Sequence, residues 1–225
     1  INKGIVGNTN IGLKLLTGNY IALLDHDDIL HPDALERVVK QIQRQNADMV
    51  YTDEAVFEQK IERIVSLQIK PGFSPENLRG CNYICHLCVF SKELLRKVGG
   101  YRKQFEGSQD YDMVLRLSEQ AQKICHIPEV LYYWRRHSGS VTAGIAAKIY
   151  ASEAGKLAVS EHLNRIKLSG NVIISNESEV VYRVIYDIEK KHEKMLFMPY
   201  EGASKTRIVK NTEYVLLIQE GIADL

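Results

Sequence analysis

The hydrophobic positions fall into blocks whose period changes along the chain. Residues 5–17 place apolar side chains at Ile5, Ile11, Leu13, Leu15 and Leu16 and close on Thr17-Gly18-Asn19, which predicts a helix with a glycine-bearing stop. Tyr20-Ile21-Ala22-Leu23-Leu24 follows as a continuous apolar run, the pattern of a short strand buried on both faces. Acidic residues come next, and His31-Pro32-Asp33 then opens a helix over 33–45. Met49-Val50-Tyr51 reads as a second buried strand, again followed by acids, Asp53 and Glu54. Strand, helix, strand with short links is a βαβ unit, so the sheet is expected to be mainly parallel.

Beyond residue 54 the pattern is more broken. Residues 55–70 alternate weakly, as in a hairpin, and Pro71-Gly72 and Ser74-Pro75 punctuate a loop before a short helix at 75–80. Residues 83–90 read as a strand and 93–98 as a short helix closed by Gly99-Gly100. Ser108 is placed to cap a helix over 109–122. Strands are predicted at 124–127 and 130–134, a long helix at 143–168, and strands at 171–175 and 180–186. The charged stretch 189–194 reads as a linker, and Glu213 to Gly221 faintly echoes the strand and acidic turn of residues 19–27 without its acids.

Composition narrows the function classes. A formal net charge of +1 gives no electrostatic case for nucleic acid as a partner. No apolar run approaches the roughly 20 residues that span a bilayer. Of the four cysteines, Cys81, Cys85 and Cys88 lie within eight positions and Cys125 stands apart, which suits a reduced compartment better than a disulfide framework. Cys85-His86-Leu87-Cys88 lacks a second Cys/His pair at zinc-finger spacing, so zinc is not expected. The chain opens on Ile1-Asn2-Lys3-Gly4 and closes on Ala223-Asp224-Leu225, and both ends read as cut.

The chemistry concentrates in two acidic motifs. Asp25, Asp27 and Asp28 crowd the carboxyl end of a predicted strand, where open α/β sheets bind ligands. Three carboxylates so close together repel, and a divalent cation relieves that repulsion; Mg²⁺ or Mn²⁺ suits all-oxygen ligands and bridges carboxylates to phosphates. The bland alternative is an acidic helix-capping loop. Asp110 and Asp112 sit in the first turn of the 109–122 helix, where complementing the helix dipole competes with a role as general base. Asp53-Glu54 serves equally as a sugar or acceptor contact or as a capped turn, and Arg135 and His137 close a strand with groups suited to phosphate oxygens.

Taken in order, Asn2-Lys3-Gly4 through Asn10, Gly18 to Asp33, Tyr51-Thr52-Asp53-Glu54, Asn82-Tyr83-Ile84, Gly99-Gly100-Tyr101-Arg102, Phe105 to Asp112 and Tyr133-Trp134-Arg135 resemble the family 2 glycosyltransferases. The likeness is strongest to the bacterial O-antigen and rhamnan branch and covers roughly residues 1–168. It implies a GT-A-like (Rossmann-like) α/β fold, its mainly parallel sheet flanked by helices, with the family's first nucleotide-binding segment lying before Ile1. The implied organisation is a partial transferase domain at 1–168, a strand-rich linker at 169–194, and a degenerate second transferase segment at 195–225.

The resemblance also implies roles. Asp25 and Asp27 would hold Mn²⁺ or Mg²⁺ with His137, and Asn10, Asp25, Asp53, Arg135 and His137 would contact substrate. Asp110 would be the base, although Gln109 stands where the family usually has Glu. The implied reaction is inverting transfer from a UDP-, dTDP- or GDP-linked sugar to a glycan or lipid-linked acceptor, in the cytoplasm or at the inner face of the membrane with peripheral association. The alternative is an inactive sugar- or nucleotide-binding or assembly module.

Overall fold

The computed structural model describes residues 2–136, 145–176, 178 and 180–187. Ile1–Tyr186 forms one compact unit. The 189–194 stretch, the echo at 213–221 and the segment 195–225 lie outside the described residues.

The elements run α1 (Gly4–Lys14), β1 (Tyr20–Ala22), β2 (Ile29–Leu30), α2 (Ala34–Gln45), β3 (Met49–Glu58) and β4 (Lys60–Gln68). Then come α3 (Pro75–Gly80), β5 (Cys88–Ser91), α4 (Lys92–Val98), a 3₁₀ turn at Lys103–Phe105 and α5 (Gln109–Gln120). β6 (Ile124–Arg136), α6 (Ile145–Arg165), β7 (Gly170–Ile174) and β8 (Tyr182–Tyr186) complete the unit. The sheet order is β1-β5-β3-β6-β2, with β4 on β3, and β7 and β8 form a separate hairpin.

The α/β class with flanking helices is as expected, but the sheet is mixed. Among the described residues only β3 and β6 pair in parallel; β1–β5, β3–β5, β3–β4 and β2–β6 are antiparallel. The βαβ reading had the direction right, since β1 and β3 both run opposite to β5. It missed that β5 inserts between them, entering from an irregular loop instead of a crossover helix. β4 returns through a turn at Gln59, whose φ of 59° lies in the left-handed region.

β3 is far longer than its apolar start suggests. Ala55-Val56-Phe57 carries it past the two acids, so Asp53 and Glu54 lie mid-strand and buried. Alternation along β3 puts Met49 and Tyr51 into one core and Val50 into another, so both faces are covered. The larger core receives α4, α5, α6 and the hairpin through Leu94, Leu115, Leu163, Val172 and Tyr182; the smaller is closed by Ala34 and Val38 of α2.

Three further expectations change. β1 is an outer strand with only Ile21 buried, and Leu24 stands 49% exposed in the turn beyond it. The strand at 83–90 shrinks to Cys88–Ser91, leaving 81–87 as a loop. Ser108 does not cap α5; its hydroxyl donates to the Ala151 carbonyl at 2.7 Å and ties the start of α5 to α6.

Candidate active site

A cavity of about 640 Å³ opens beside β1, and the acidic turn and the start of α5 meet in its wall. Asp25 and Asp27 come from the turn after β1, His86 from the 81–87 loop, Tyr101 from the loop before α5, and Asp110 from the first turn of α5. The remaining wall is largely apolar, supplied by side chains such as Ile5, Leu13 and Leu16.

The acidic turn is held by its third member and by β6. Asp28 accepts the Arg135 N–H at 2.7 Å and the Tyr132 O–H at 2.5 Å, and Tyr132 Oη accepts the Asp25 N–H at 3.3 Å. Burial raises the Asp28 pKa above the usual carboxylate range, the two hydrogen bonds opposing that rise. Asp25 and Asp27 line the cavity, with side-chain exposures of 60% and 29%, and Asp27 Oδ1 lies 3.6 Å from His26 Nδ1.

Asp110 sits across the cavity beside Gln109, whose Nε2 donates to its Oδ2 at 2.9 Å. Burial raises its pKa; the His86 ring opposes the shift and the Asp25 charge adds to it. A carboxylate with a raised pKa in a partly apolar wall takes a proton more readily than a solvated one. Asp112 is another matter. It is fully buried between Arg102 and Arg116, accepting from Arg116 Nη2 at 2.8 Å and Arg102 Nε at 3.2 Å.

The structure separates the other sequence candidates. Asn10 does not line the cavity: its Oδ1 accepts the Tyr101 N–H and its Nδ2 donates to the Tyr101 carbonyl, both at 2.8 Å. Asp53 also lies off the cavity, 2% exposed, with Oδ1 2.8 Å from His126 Nε2 and accepting the Lys70 N–H at 2.9 Å. Arg135 is an anchor for the acidic turn: its Nε donates to the Asp27 carbonyl at 2.7 Å and its Nη1 to the Gln59 carbonyl at 2.9 Å. Its guanidinium lies 4.5 Å from the Phe57 ring centre. Trp134 is 37% exposed. His137 lies outside the described residues.

His86, from the Cys85-His86-Leu87-Cys88 run, lines the cavity, and Lys70 enters as a residue that periodicity and motif did not place. His86 stacks on Tyr132 with ring centres 5.1 Å apart and reaches Asp25 Oδ2 at 3.9 Å. Lys70 is buried beneath the same loop, donating to the carbonyls of Ile84, at 3.0 Å, and His86, and 3.6 Å from Glu54 Oε2. Burial pulls the Lys70 pKa below the lysine range, Glu54 opposing. Nothing local in the sequence announces this bracket, because its partners come from β3 and the loop.

Among the described residues no three His, Cys, Asp or Glu side chains gather closely enough to hold a metal alone. Two cavity-lining carboxylates still fit Mg²⁺ or Mn²⁺, which bind through one or two carboxylates completed by substrate phosphates and water. Such an ion supplies charge neutralisation at a departing diphosphate.

Comparison with known proteins gives likenesses to glycosyltransferases. The glycosyl transferase family 2 model matches residues 1–99. The uncharacterized protein y4gI of Sinorhizobium fredii is 43% identical over 184 residues, covering 80% of this chain and 20% of that protein. The O-antigen biosynthesis protein RfbC of Myxococcus xanthus is 34% identical over 194 residues, covering 86% and 15%. The chondroitin synthase of Pasteurella multocida is 31% identical over 132 residues, covering 58% and 14%. The chain thus spans a fifth or less of these relatives. The crystal structure of S. aureus TarS 1–349 in complex with UDP-GlcNAc superposes with a TM-score of 0.56 at 15% identity, over 72% of this chain and 47% of that one. That likeness shows the fold, which is GT-A.

Proposed function

We propose that the cavity is the transfer site of a nucleotide-sugar-dependent, inverting glycosyltransferase, a reading supported by the match of residues 1–99 to the glycosyl transferase family 2 model. The observation that carries this reading is the meeting of Asp25, Asp27 and Asp110, from distant parts of the chain, in the wall of one cavity. Asp25 and Asp27 would hold the cation, which would supply neutralising charge for the diphosphate of a UDP-, dTDP- or GDP-linked sugar. Asp110 accepts the proton of the acceptor hydroxyl while its oxygen bonds to the anomeric carbon and the bond to the diphosphate breaks. Arg135, Tyr132 and Asp28 keep the acidic turn in place through its backbone and so reduce the reorganisation that binding needs.

The acceptor is a glycan or lipid-linked glycan in the assembly of a bacterial cell-surface polysaccharide, a reading supported by the names of two relatives, an O-antigen biosynthesis protein and a chondroitin synthase. Among the described residues no helix is long and apolar enough to cross a membrane. The reading places the work in the cytoplasm, at the inner face of the membrane where a lipid-linked acceptor is presented. In this reading His137 would serve the cation or the diphosphate, and 1–168 would be the transferase domain. An inactive binding module is less well supported, since two relatives with functional names are a biosynthesis protein and a synthase.

Calorimetry of UDP, dTDP and GDP on the whole protein with Mn²⁺ tests the donor half. Asp27→Ala is expected to weaken the metal-dependent binding at least about tenfold, a change of roughly 1.4 kcal/mol. Unchanged affinity in that variant would refute the assignment.

A further inference from the structure

Tyr101 is 6% exposed, lies in the cavity wall, and carries one of two buried side-chain atoms without a hydrogen-bond partner among the described residues, its phenol oxygen. Leaving a buried hydroxyl unpaired is unfavourable, and a phenylalanine would fill the same space without it. The residue is nevertheless held with care. Asn10 brackets its peptide with two hydrogen bonds of 2.8 Å. That bracket requires Gly100 beside it, where an added Cβ would stand 2.5 Å from Asn10 Oδ1. On the other side, Arg102 is fastened to the buried Asp112. Both flanks of Tyr101 are thereby tied to α1 and α5, the two helices that border the cavity.

We propose that Tyr101 is the positioning residue of Asp110, its phenol O–H closing on the Asp110 carboxylate when the acceptor is bound. This rests on the reading of Asp110 as the base. The two side chains share the cavity wall, and the phenol already interacts with the Asp110 carboxylate through its charge and a contact that falls short of hydrogen-bond geometry. Burial, and after it the Asp110 charge, pushes the phenol pKa far above the tyrosine range, so Tyr101 keeps its proton and donates it. The other groups facing Asp110 are Gln109, which already donates to Oδ2, the His86 ring and the Asp25 carboxylate. Catalytic hydrogen bonds are often long or misaligned without substrate and tighten in the complex, which accounts for an unpaired hydroxyl next to its acceptor. Fixing the carboxylate aims its oxygen at the acceptor hydroxyl. Asn10, unable to reach substrate, acts through the Tyr101 backbone.

The test is Tyr101→Phe in the whole protein, alone and combined with Asp110→Asn, with kcat, donor KM and Tm measured on each. Loss of one hydrogen bond to a charged group is expected to lower kcat by roughly tenfold to a hundredfold. Donor KM is expected to stay unchanged and Tm to hold or rise. In the Asp110→Asn background the same substitution is expected to cause no further loss, because there is no carboxylate left to position. Wild-type turnover in Tyr101→Phe, an equal loss in both backgrounds, or a fall in Tm in step with the rate overturns the proposal. Full turnover in Asp110→Asn overturns the base reading itself, and Tyr101's role with it. An unaffected Tyr101→Phe beside an inactive Asp110→Asn overturns only the positioning role.

Discussion

Asp110→Asn is expected to lower transfer by roughly 10²–10⁴-fold, the usual contribution of a general base, while leaving donor affinity nearly intact. The amide keeps the shape of the side chain but cannot take a proton at neutral pH. The scaffold around Asp110 does not depend on its charge: its side chain accepts from the neighbouring Gln109, and the start of α5 is tied down separately through Ser108 and Ala151. Turnover and donor binding, measured separately on the purified variant, check this. Loss of donor binding in step with turnover would move Asp110 from chemistry to recognition.

Asp112→Asn, two positions on, is expected to act through stability instead. As a group complementing the helix dipole, it would be worth about 0.3–1 kcal/mol. Its surroundings demand more. Asp112 is fully buried and is the shared partner of Arg102 and Arg116. Arg116 donates onward to the Val98 carbonyl at 2.7 Å and the Gly100 carbonyl at 3.0 Å, and Arg102 to Glu161 at 2.7 Å. Neutralising the shared carboxylate leaves guanidinium charge uncompensated, which is expected to destabilise the fold by about 3 kcal/mol. For a protein of this size that corresponds to a Tm lower by about 10 °C. The folded fraction is expected to lose turnover only as far as the loosened Arg102 frees Tyr101, far less than Asp110→Asn does. Thermal unfolding of the two variants side by side separates the roles: Asp110→Asn keeps its Tm and loses activity, Asp112→Asn largely the reverse.

The acidic turn and the start of α5 were legible in sequence because their signals are local: an apolar run ending in carboxylates, and acids placed in a first helical turn. The same logic misplaced Asp53. Two acids after Met49-Val50-Tyr51 look like the end of a strand, yet the strand continues because His126 and Lys70 satisfy Asp53 inside the sheet. Those partners lie 73 and 17 positions away, beyond the reach of any local pattern. β5 escaped for a related reason. Residues 83–87 are apolar enough to extend the strand, but buried Lys70 and Glu54 bind their backbone and hold them as a loop. The Gly99-Gly100-Tyr101-Arg102 motif was visible as a string, and its purpose was not. That purpose lies in a contact with α1, an unpaired hydroxyl and a buried ion pair, all properties of packing.

Whether donor and acceptor chemistry share the one cavity is decided by a crystal structure of the whole protein with Mn²⁺ and a bound nucleoside diphosphate, the ion located by its anomalous scattering. The expected result is a manganese peak at Asp25 and Asp27, the diphosphate in the same cavity, and the Asp110 carboxylate facing it from the start of α5. A manganese peak away from both carboxylates, or a nucleotide bound outside this cavity, would contradict the shared site.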